Sequence, residues 1–372
     1  MNWREILFLA VFAALPPVGL AIGPAYAPML FGLATILTLS RRSWPDFDRA
    51  LALLALAFLA VCAIGLLWSV SPPFSGRRLG QLAGIWIGCL ALLALPDLSE
   101  MGRFWLRRVI YCGIAIAALL LSADTLFDFP LQRLLTGGAA NAAYKYNRGL
   151  IALVLIAWPT MASLSRTRAY IVAPVLGLAL LVGLSSTGLL AFAVSCVIWF
   201  IARFTPKAAF WIIGIATTIL TLGLPFLLRA LSAHRDRLAP LVKSSGLHRL
   251  EIWDYMSARI LERPLTGWGL GMANQVPIRP EELANYLYVT PDGIYPHNQW
   301  IEAWLETGLP GVLLGLALVW LVLKRLSTQY QLAALSAALT VSMLNFEITT
   351  DSWWAAVAAS ALLFRQLPTR KI

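Results

Sequence analysis

Two short segments of the chain hold the residue types that could grip an anion and move a proton. They are Ser245-Gly246-Leu247-His248-Arg249-Leu250-Glu251-Ile252-Trp253 and Tyr295-Pro296-His297-Asn298-Gln299-Trp300. Arginine presents a planar fork of donors that bonds phosphate oxygens in pairs and stays charged at any relevant pH. Histidine has an unperturbed pKa of about 6.5, so a neutral imidazole can take a hydroxyl proton near pH 7. Arg249 and His297 therefore read as a phosphate grip beside a general base. Plainer readings stand next to these: a solvated charge on an interfacial helix for Arg249, and a capping histidine at a helix start for His297. His248 is a phosphate contact or a surface residue, and His234 is assigned to solvent. Three histidines this dispersed, without a paired carboxylate, do not make a metal site. The four cysteines, Cys62, Cys89, Cys112 and Cys196, all fall inside apolar runs without a Cys-x-x-Cys spacing, so no disulfide framework or zinc site is indicated.

Both segments lie in one polar stretch, 229–306, of an otherwise lipid-soluble chain. Of 372 residues, 59% are hydrophobic and 13% charged, and the mean hydropathy is +0.75. A soluble domain has roughly 45–50% apolar and about 25% charged residues. A chain this apolar could not cover its surface in water, so it belongs in a membrane. The net charge of +11 does not point to nucleic acid. Much of the basic excess sits in short turns between apolar runs, where it sets orientation. The remainder gathers in the polar stretch, where it could meet an anionic substrate such as a phosphate.

A spanning helix needs about 20 apolar residues. Twelve runs qualify as expected spans, at 5–22, 25–40, 50–69, 79–96, 107–124, 148–164, 169–186, 188–203, 208–228, 307–323, 330–347 and 351–366. The first lacks an Ala-x-Ala-like cleavage site and is expected to stay in place. With Arg4 in the cytoplasm, every inside loop is basic. These loops carry Arg41, Arg42 and Arg49; Arg103, Arg107 and Arg108; Arg166 and Arg168; Arg203 and Lys207; Lys324 and Arg325; and Arg365, Arg370 and Lys371. Both termini are then inside, and 229–306 lies outside with the 70–78 and 125–147 loops. The division is 1–228 (nine spans), 229–306 (a working loop) and 307–372 (three spans and a tail).

The outside loops break the basic-inside trend at Arg77, Arg78, Arg133, Lys145 and Arg148. Charges that orientation leaves unexplained are candidates for function. Within the long loop, 247–261 reads as a helix with Leu250, Trp253, Tyr255, Ile260 and Leu261 on its apolar side. Pro264 stops it, and Gly267-Trp268-Gly269-Leu270-Gly271 follows as a turn. A second short helix is expected at 281–288, and Asp292-Gly293 signals a turn. The chain re-enters the membrane from Asn298 onward.

The stretch from Pro296-His297-Asn298-Gln299-Trp300 through Glu302, Trp304, Glu306, Gly308 and Gly311 resembles the signature of the O-antigen ligase and polymerase superfamily, a His-Asn pair followed by Leu/Trp-x-Glu-x-Gly-x-x-Gly. Arg249-x3-Trp253 and Arg263-Pro264-Leu265-Thr266-Gly267-Trp268-Gly269 look like the same family's upstream segment. The resemblance runs from about residue 50 to the end and is strong over 245–311. It implies an all-α integral membrane fold of the type-C glycosyltransferase kind, with about 12 transmembrane helices and one long periplasmic helical loop in the bacterial inner membrane. The implied donor is an undecaprenyl-diphosphate-linked glycan. The implied acceptor is the lipid A–core oligosaccharide for a ligase, or another glycan repeat for a polymerase. Transfer is implied to invert the anomeric centre, without a metal or other cofactor. One departure matters. Where the family often has Ser-Arg-Gly, this chain reads Ser185-Ser186-Thr187-Gly188, and Arg148 is the arginine that could supply the charge.

On this basis His297 and Arg249 are the expected catalytic residues. Arg148, His248, Asn298, Tyr295, Glu306, Arg77 and Arg78 are the expected substrate-binding ones. For Arg148 the alternative is an interfacial snorkelling arginine. Tyr295, Trp300, Trp304, Trp268 and Tyr288 could stack on sugars or form an interfacial aromatic belt. Glu306 orients the signature, Glu302 faces water, and Glu347 is a site residue or a partner of Arg77 or Arg78. The compact loop and short chain favour a ligase over a polymerase. A transporter of anionic lipid is disfavoured, because almost no charge falls in the middle of any span.

Overall fold

The computed structural model describes residues 1–40, 47–138, 142–183, 185–238, 244–276, 279–283, 286, 289 and 295–367. Among these residues the chain is helical, with no strand. Asn2 opens α1 (Trp3–Ala21) with a capping box, accepting from the Glu5 N–H at 3.0 Å while Glu5 accepts from the Asn2 N–H at 3.3 Å. Then come α2 (Tyr26–Leu39), α3 (Arg49–Ile64), α4 (Pro72–Leu93) and α5 (Glu100–Leu126). The central part comprises α6 (Asn147–Ser163), α7 (Arg166–Val182), α8 (Ser186–Phe204) and α9 (Pro206–Ser232). The polar α10 (Ser244–Glu262) precedes α11 (Gln299–Leu323), α12 (Gln329–Ser342) and α13 (Asp351–Gln366). Pro72 and Pro206 each open a helix, where a missing N–H costs nothing.

Each of the twelve expected apolar runs falls on a helix. Among the described residues, six helices are long and apolar enough to cross a membrane by length and composition: α1, α3 with its following turn, α5, α8, α9 and α11. The others are shorter or more polar. α2 and α12 have 14 residues each. At about 1.5 Å per residue such a helix is roughly 21 Å long, against a hydrocarbon core of about 30 Å. α6 is buried along its whole length from Gly149 to Ser163, because α1, α7, α8, α12 and α13 surround it. Arg41, Arg42, Arg370, Lys371, Tyr288 and the Asp292-Gly293 turn lie outside the described residues. The expected helix at 281–288 is described as Pro280–Leu283, with 284–285 and 287–288 outside that set.

Two cores form. One joins α1, α2, α6 and α13 around Phe12, Leu30, Leu150 and Ala356. The other lies where α10 and the glycine-rich loop meet α11, around Tyr255, Met256, Leu270 and Ile301. α10 starts earlier than expected and turns a different face inward. Ile252, Tyr255, Met256 and Ile260 are buried, while Leu261 is 39% exposed. That buried set is the i, i+3, i+4, i+8 stripe of a helix packed along one side.

The glycine-rich loop is fastened to a break in α11. This helix begins at Gln299, not at 307, and at Gly308 its backbone leaves the helix with φ 63° and ψ −164°. In a continuous helix the Glu306 carbonyl would accept from residue 310, but Pro310 has no N–H. Instead Gly269 donates to the Glu306 carbonyl at 3.0 Å, and Trp268 to the Leu305 carbonyl at 2.8 Å. The Leu309 N–H in turn donates to the Pro264 carbonyl at 2.8 Å. A Cβ on Gly308 would lie 2.6 Å from the Leu265 carbonyl carbon, and one on Gly267 2.6 Å from that of Glu306. The two backbones can approach only because both positions are glycine, and Gly308 occupies a region that is essentially glycine-only. Gly308→Ala should therefore cost about 2–5 kcal/mol, combining backbone strain with overpacking. Thermal unfolding in detergent measures it, with Gly32→Ala, which meets nothing within 4 Å, as a control that does not destabilise.

Candidate active site

His297 is the centre of a charged cluster built by segments distant in sequence. It precedes the α11 N-cap and takes φ 50°, uncommon for a side-chain-bearing residue. Its ring meets the Tyr295 ring edge-on, 4.1 Å between centroids and 83° between planes. The Trp253 indole N–H donates to the Pro296 carbonyl at 2.5 Å and ties this segment to α10. His297 Nδ1 is buried with no hydrogen-bond partner among the described residues. Burial depresses the imidazole pKa to about 4, and the charges of Arg249, His248 and Arg148 act in the same direction. The ring is therefore neutral at neutral pH, with cationic side chains around it.

Arg249 projects from α10 and donates through Nη1 to the Leu344 carbonyl at 3.1 Å, in the turn between α12 and α13. Burial holds its pKa below the ordinary guanidinium value. Arg148 is exposed at the start of α6. The segment leading to it is braced by Asp124, which accepts from the Tyr146 hydroxyl and the Leu131 N–H, each at 2.6 Å. Ser185 caps α8 and bonds Asn147 at 2.6 Å. The segment that lacks the family's arginine thus abuts the one that carries Arg148. On α4, Arg78 pairs with Glu347 at 3.4 Å and donates to Thr349 Oγ1 at 3.1 Å. Tyr295 joins these charges. Burial raises its pKa, Glu347 and Glu302 push the same way, and Arg148 and Arg78 oppose them. His248 belongs to the cluster through its influence on His297.

Several expected site residues do other work. Arg77 is exposed over the Phe74 ring, 5.7 Å from its centroid, and has no ion pair among the described residues. Asn298 is 1% exposed. Its Oδ1 caps α11, accepting from the Trp300 and Ile301 N–H groups at 3.0 and 3.1 Å. Glu306 is 1% exposed and accepts from the Ala273 N–H at 3.2 Å, so it braces the glycine-rich loop. Glu302 does not face water; it is buried and accepts from the Ile348 N–H at 2.6 Å. Trp268, Trp300 and Trp304 are core residues, their indole N–H groups spent on the Arg259 carbonyl, Ser342 and the Thr221 carbonyl. The roles of Glu306, Glu302, Trp300 and Trp304 were hidden because each depends on a partner 33 to 83 residues away. Of the α12–α13 turn only Glu347 was legible as a candidate, since the Leu344 carbonyl carries no sequence signal.

An apolar crevice begins beside the cluster. Its first part, about 190 Å³, is lined by Gln299, Trp300 and Ile348 near the site and by Phe58 and Trp86 deeper in the bundle. A second part of about 220 Å³ shares Phe58, Trp86 and Trp354 with it and continues to Leu51 and Leu93. Among the described residues, no three His, Cys, Asp or Glu side chains are grouped so that they could hold a metal ion.

A model of the O-antigen ligase family matches residues 169–316, which include Arg249, His297 and the break at Gly308. Over those residues the chain is similar to the O-antigen ligase family. Relatives include a protein of Rickettsia typhi named "Putative polysaccharide ligase", 25% identical over 80% of this chain and 76% of its own length. A protein of Rickettsia felis with the same name is 25% identical over 90% and 84%. One of Rickettsia conorii, again so named, is 26% identical over 71% and 67%. The matched region ends before the α12–α13 turn, and Arg148 and Arg78 lie before it.

The depressed imidazole has a consequence for stability. The unfolded chain takes a proton on His297 from about pH 6.5 downward, whereas the folded ring resists until about pH 4. The unfolded state thus binds more protons in that window, and stability falls as pH drops through it. His297→Gln should make melting temperature less sensitive to pH between 6.5 and 4, and thermal melts across that range check it.

Proposed function

We propose that this protein is a polytopic inner-membrane glycosyltransferase that transfers a glycan from undecaprenyl diphosphate to the lipid A–core oligosaccharide, as an O-antigen ligase. The observation that carries the proposal is the convergence of Arg249, Arg148 and His297 from α10, α6 and α11. The apolar crevice beside them suits a donor that arrives from the lipid. In this reading all twelve apolar helices traverse or line the membrane, both termini are cytoplasmic and the site faces the periplasm. There the cell supplies no nucleotide donor, which favours a lipid-linked one.

The chemistry is one displacement. The acceptor hydroxyl oxygen attacks the anomeric carbon, the bond to the diphosphate breaks, and the electron pair leaves on undecaprenyl diphosphate. Arg249 and Arg148 bind the diphosphate oxygens where negative charge builds, which is often the largest catalytic contribution. His297 orients the acceptor hydroxyl and takes its proton. Alone among cations the imidazole is a weak base. A bound diphosphate offsets the charges of Arg249 and Arg148, so donor binding strengthens the base it needs.

Purified protein supplied with a lipid-diphosphate glycan and a lipid A–core acceptor tests this. Arg249→Ala should lower the transfer rate about 10²–10³-fold, and His297→Ala about 10²–10⁴-fold. A His297→Ala variant at full rate would remove the general-base role. In cells, deletion of the gene should abolish all capped lipopolysaccharide. Cores bearing a single repeat would indicate a polymerase instead, and an unchanged ladder would sink both assignments.

A further inference from the structure

Arg78 is the cluster's third arginine, and a carboxylate faces it. Its Nη2 faces Glu347 Oε2 at 3.4 Å, outside good hydrogen-bonding distance. Nη1 is anchored separately, to Thr349 Oγ1 at 3.1 Å and Gln81 Oε1 at 3.2 Å. The backbone of Glu347 is fixed as well. Its carbonyl accepts from Gln299 Nε2 at 2.9 Å, and its N–H donates to Thr350 Oγ1 at 3.0 Å. The carboxylate arm can move while the backbone of the turn stays fixed, giving up with Arg78 the Thr349 hydroxyl that donates to its Oε2 at 3.2 Å. Glu347 and Arg78 both act on Tyr295, as does Arg148, so the pair lies near the other charges around that ring. The neighbouring Glu302 cannot substitute, because its carboxylate is buried on the Ile348 N–H.

We infer that Glu347 is a displaceable counter-anion: it occupies Arg78 while the site is empty and yields it to the diphosphate of an arriving donor. The inference rests on the diphosphate reading given above. The Arg78 and Glu347 side chains are 25% and 24% exposed, and ion pairs open to solvent are weak, so the exchange costs little. Arg78 keeps its Thr349 and Gln81 anchors throughout, which leaves one face of the guanidinium ready for a new anion. Glu347 thereby screens a cluster of arginines that would otherwise repel one another in the unliganded protein, and it opposes tight retention of the diphosphate product.

The test is calorimetric titration of purified full-length protein with inorganic pyrophosphate. Glu347→Gln, which keeps the shape and loses the charge, should bind pyrophosphate about three- to fivefold more tightly than wild type, the scale of an exposed ion pair. Glu347→Asp, which keeps the charge, should stay near wild type. In an Arg78→Gln background the Glu347→Gln gain should vanish. Damage to the turn would weaken binding, so a gain in affinity is not explained by a structural role. Unchanged or weaker binding in Glu347→Gln, or an equal gain without Arg78, overturns the inference alone. Wild-type protein that binds no pyrophosphate overturns the diphosphate reading, and this inference with it.

Discussion

The site depends on a helix that is broken and then repaired by a loop. At Gly308 α11 gives up its own hydrogen bonds, and the loop from Pro264 to Gly269 supplies replacements. Buried backbone groups without partners are costly, more so where water is scarce. The break and the loop therefore fix each other's position. The loop joins the end of α10 to this clamp, and α10 carries Arg249, while the first turn of α11 follows His297. A cation and an imidazole 48 residues apart in the numbering are thereby held on one rigid unit. Glu306 reinforces the clamp from below through the Ala273 N–H.

A second junction brings in the rest of the charge. The turn between α12 and α13 touches α10 through Leu344, α11 through Gln299 and Glu302, and α4 through Arg78 and Gln81. Phe346 enters it with φ 62° and is stacked on Trp353, ring centroids 5.1 Å apart. Nearly every polar group of this turn is spent on a neighbour, so it acts as a rigid bracket between helices. Cations held this way are preorganised, and a ligand need not spend its binding energy assembling them. Burial, together with this crowding of positive charge, keeps His297 neutral, which suits a group that must accept a proton.

The bundle also shows why apolar length and membrane crossing are different properties. α6 lies at the centre, buried from Gly149 to Ser163, and needs no lipid-facing surface of its own. α12 stops at Ser342 because the chain must turn there to form the bracket. Helices that build a site end where the site requires, whereas those facing lipid, such as α5 and α9 with 27 residues each, run on.

The sequence by itself determined the membrane class and the positions of the apolar helices, and its residue types singled out Arg249 and His297 as candidates. Each is written locally: a run of apolar residues, or an arginine and a histidine in a polar stretch. The break of α11 at Gly308 was not expected within the 307–323 run. Tertiary structure alone decided which other charges join the cluster. Arg148 and Arg78 enter it, and Arg77, next to Arg78 in the chain, lies exposed over Phe74. It also decided that Glu302 is buried and that Trp268, Trp300 and Trp304 serve the core. Such outcomes turn on which helix face meets which neighbour. That is set by packing between segments up to 271 residues apart, as for Arg78 and Thr349, and no local pattern encodes it.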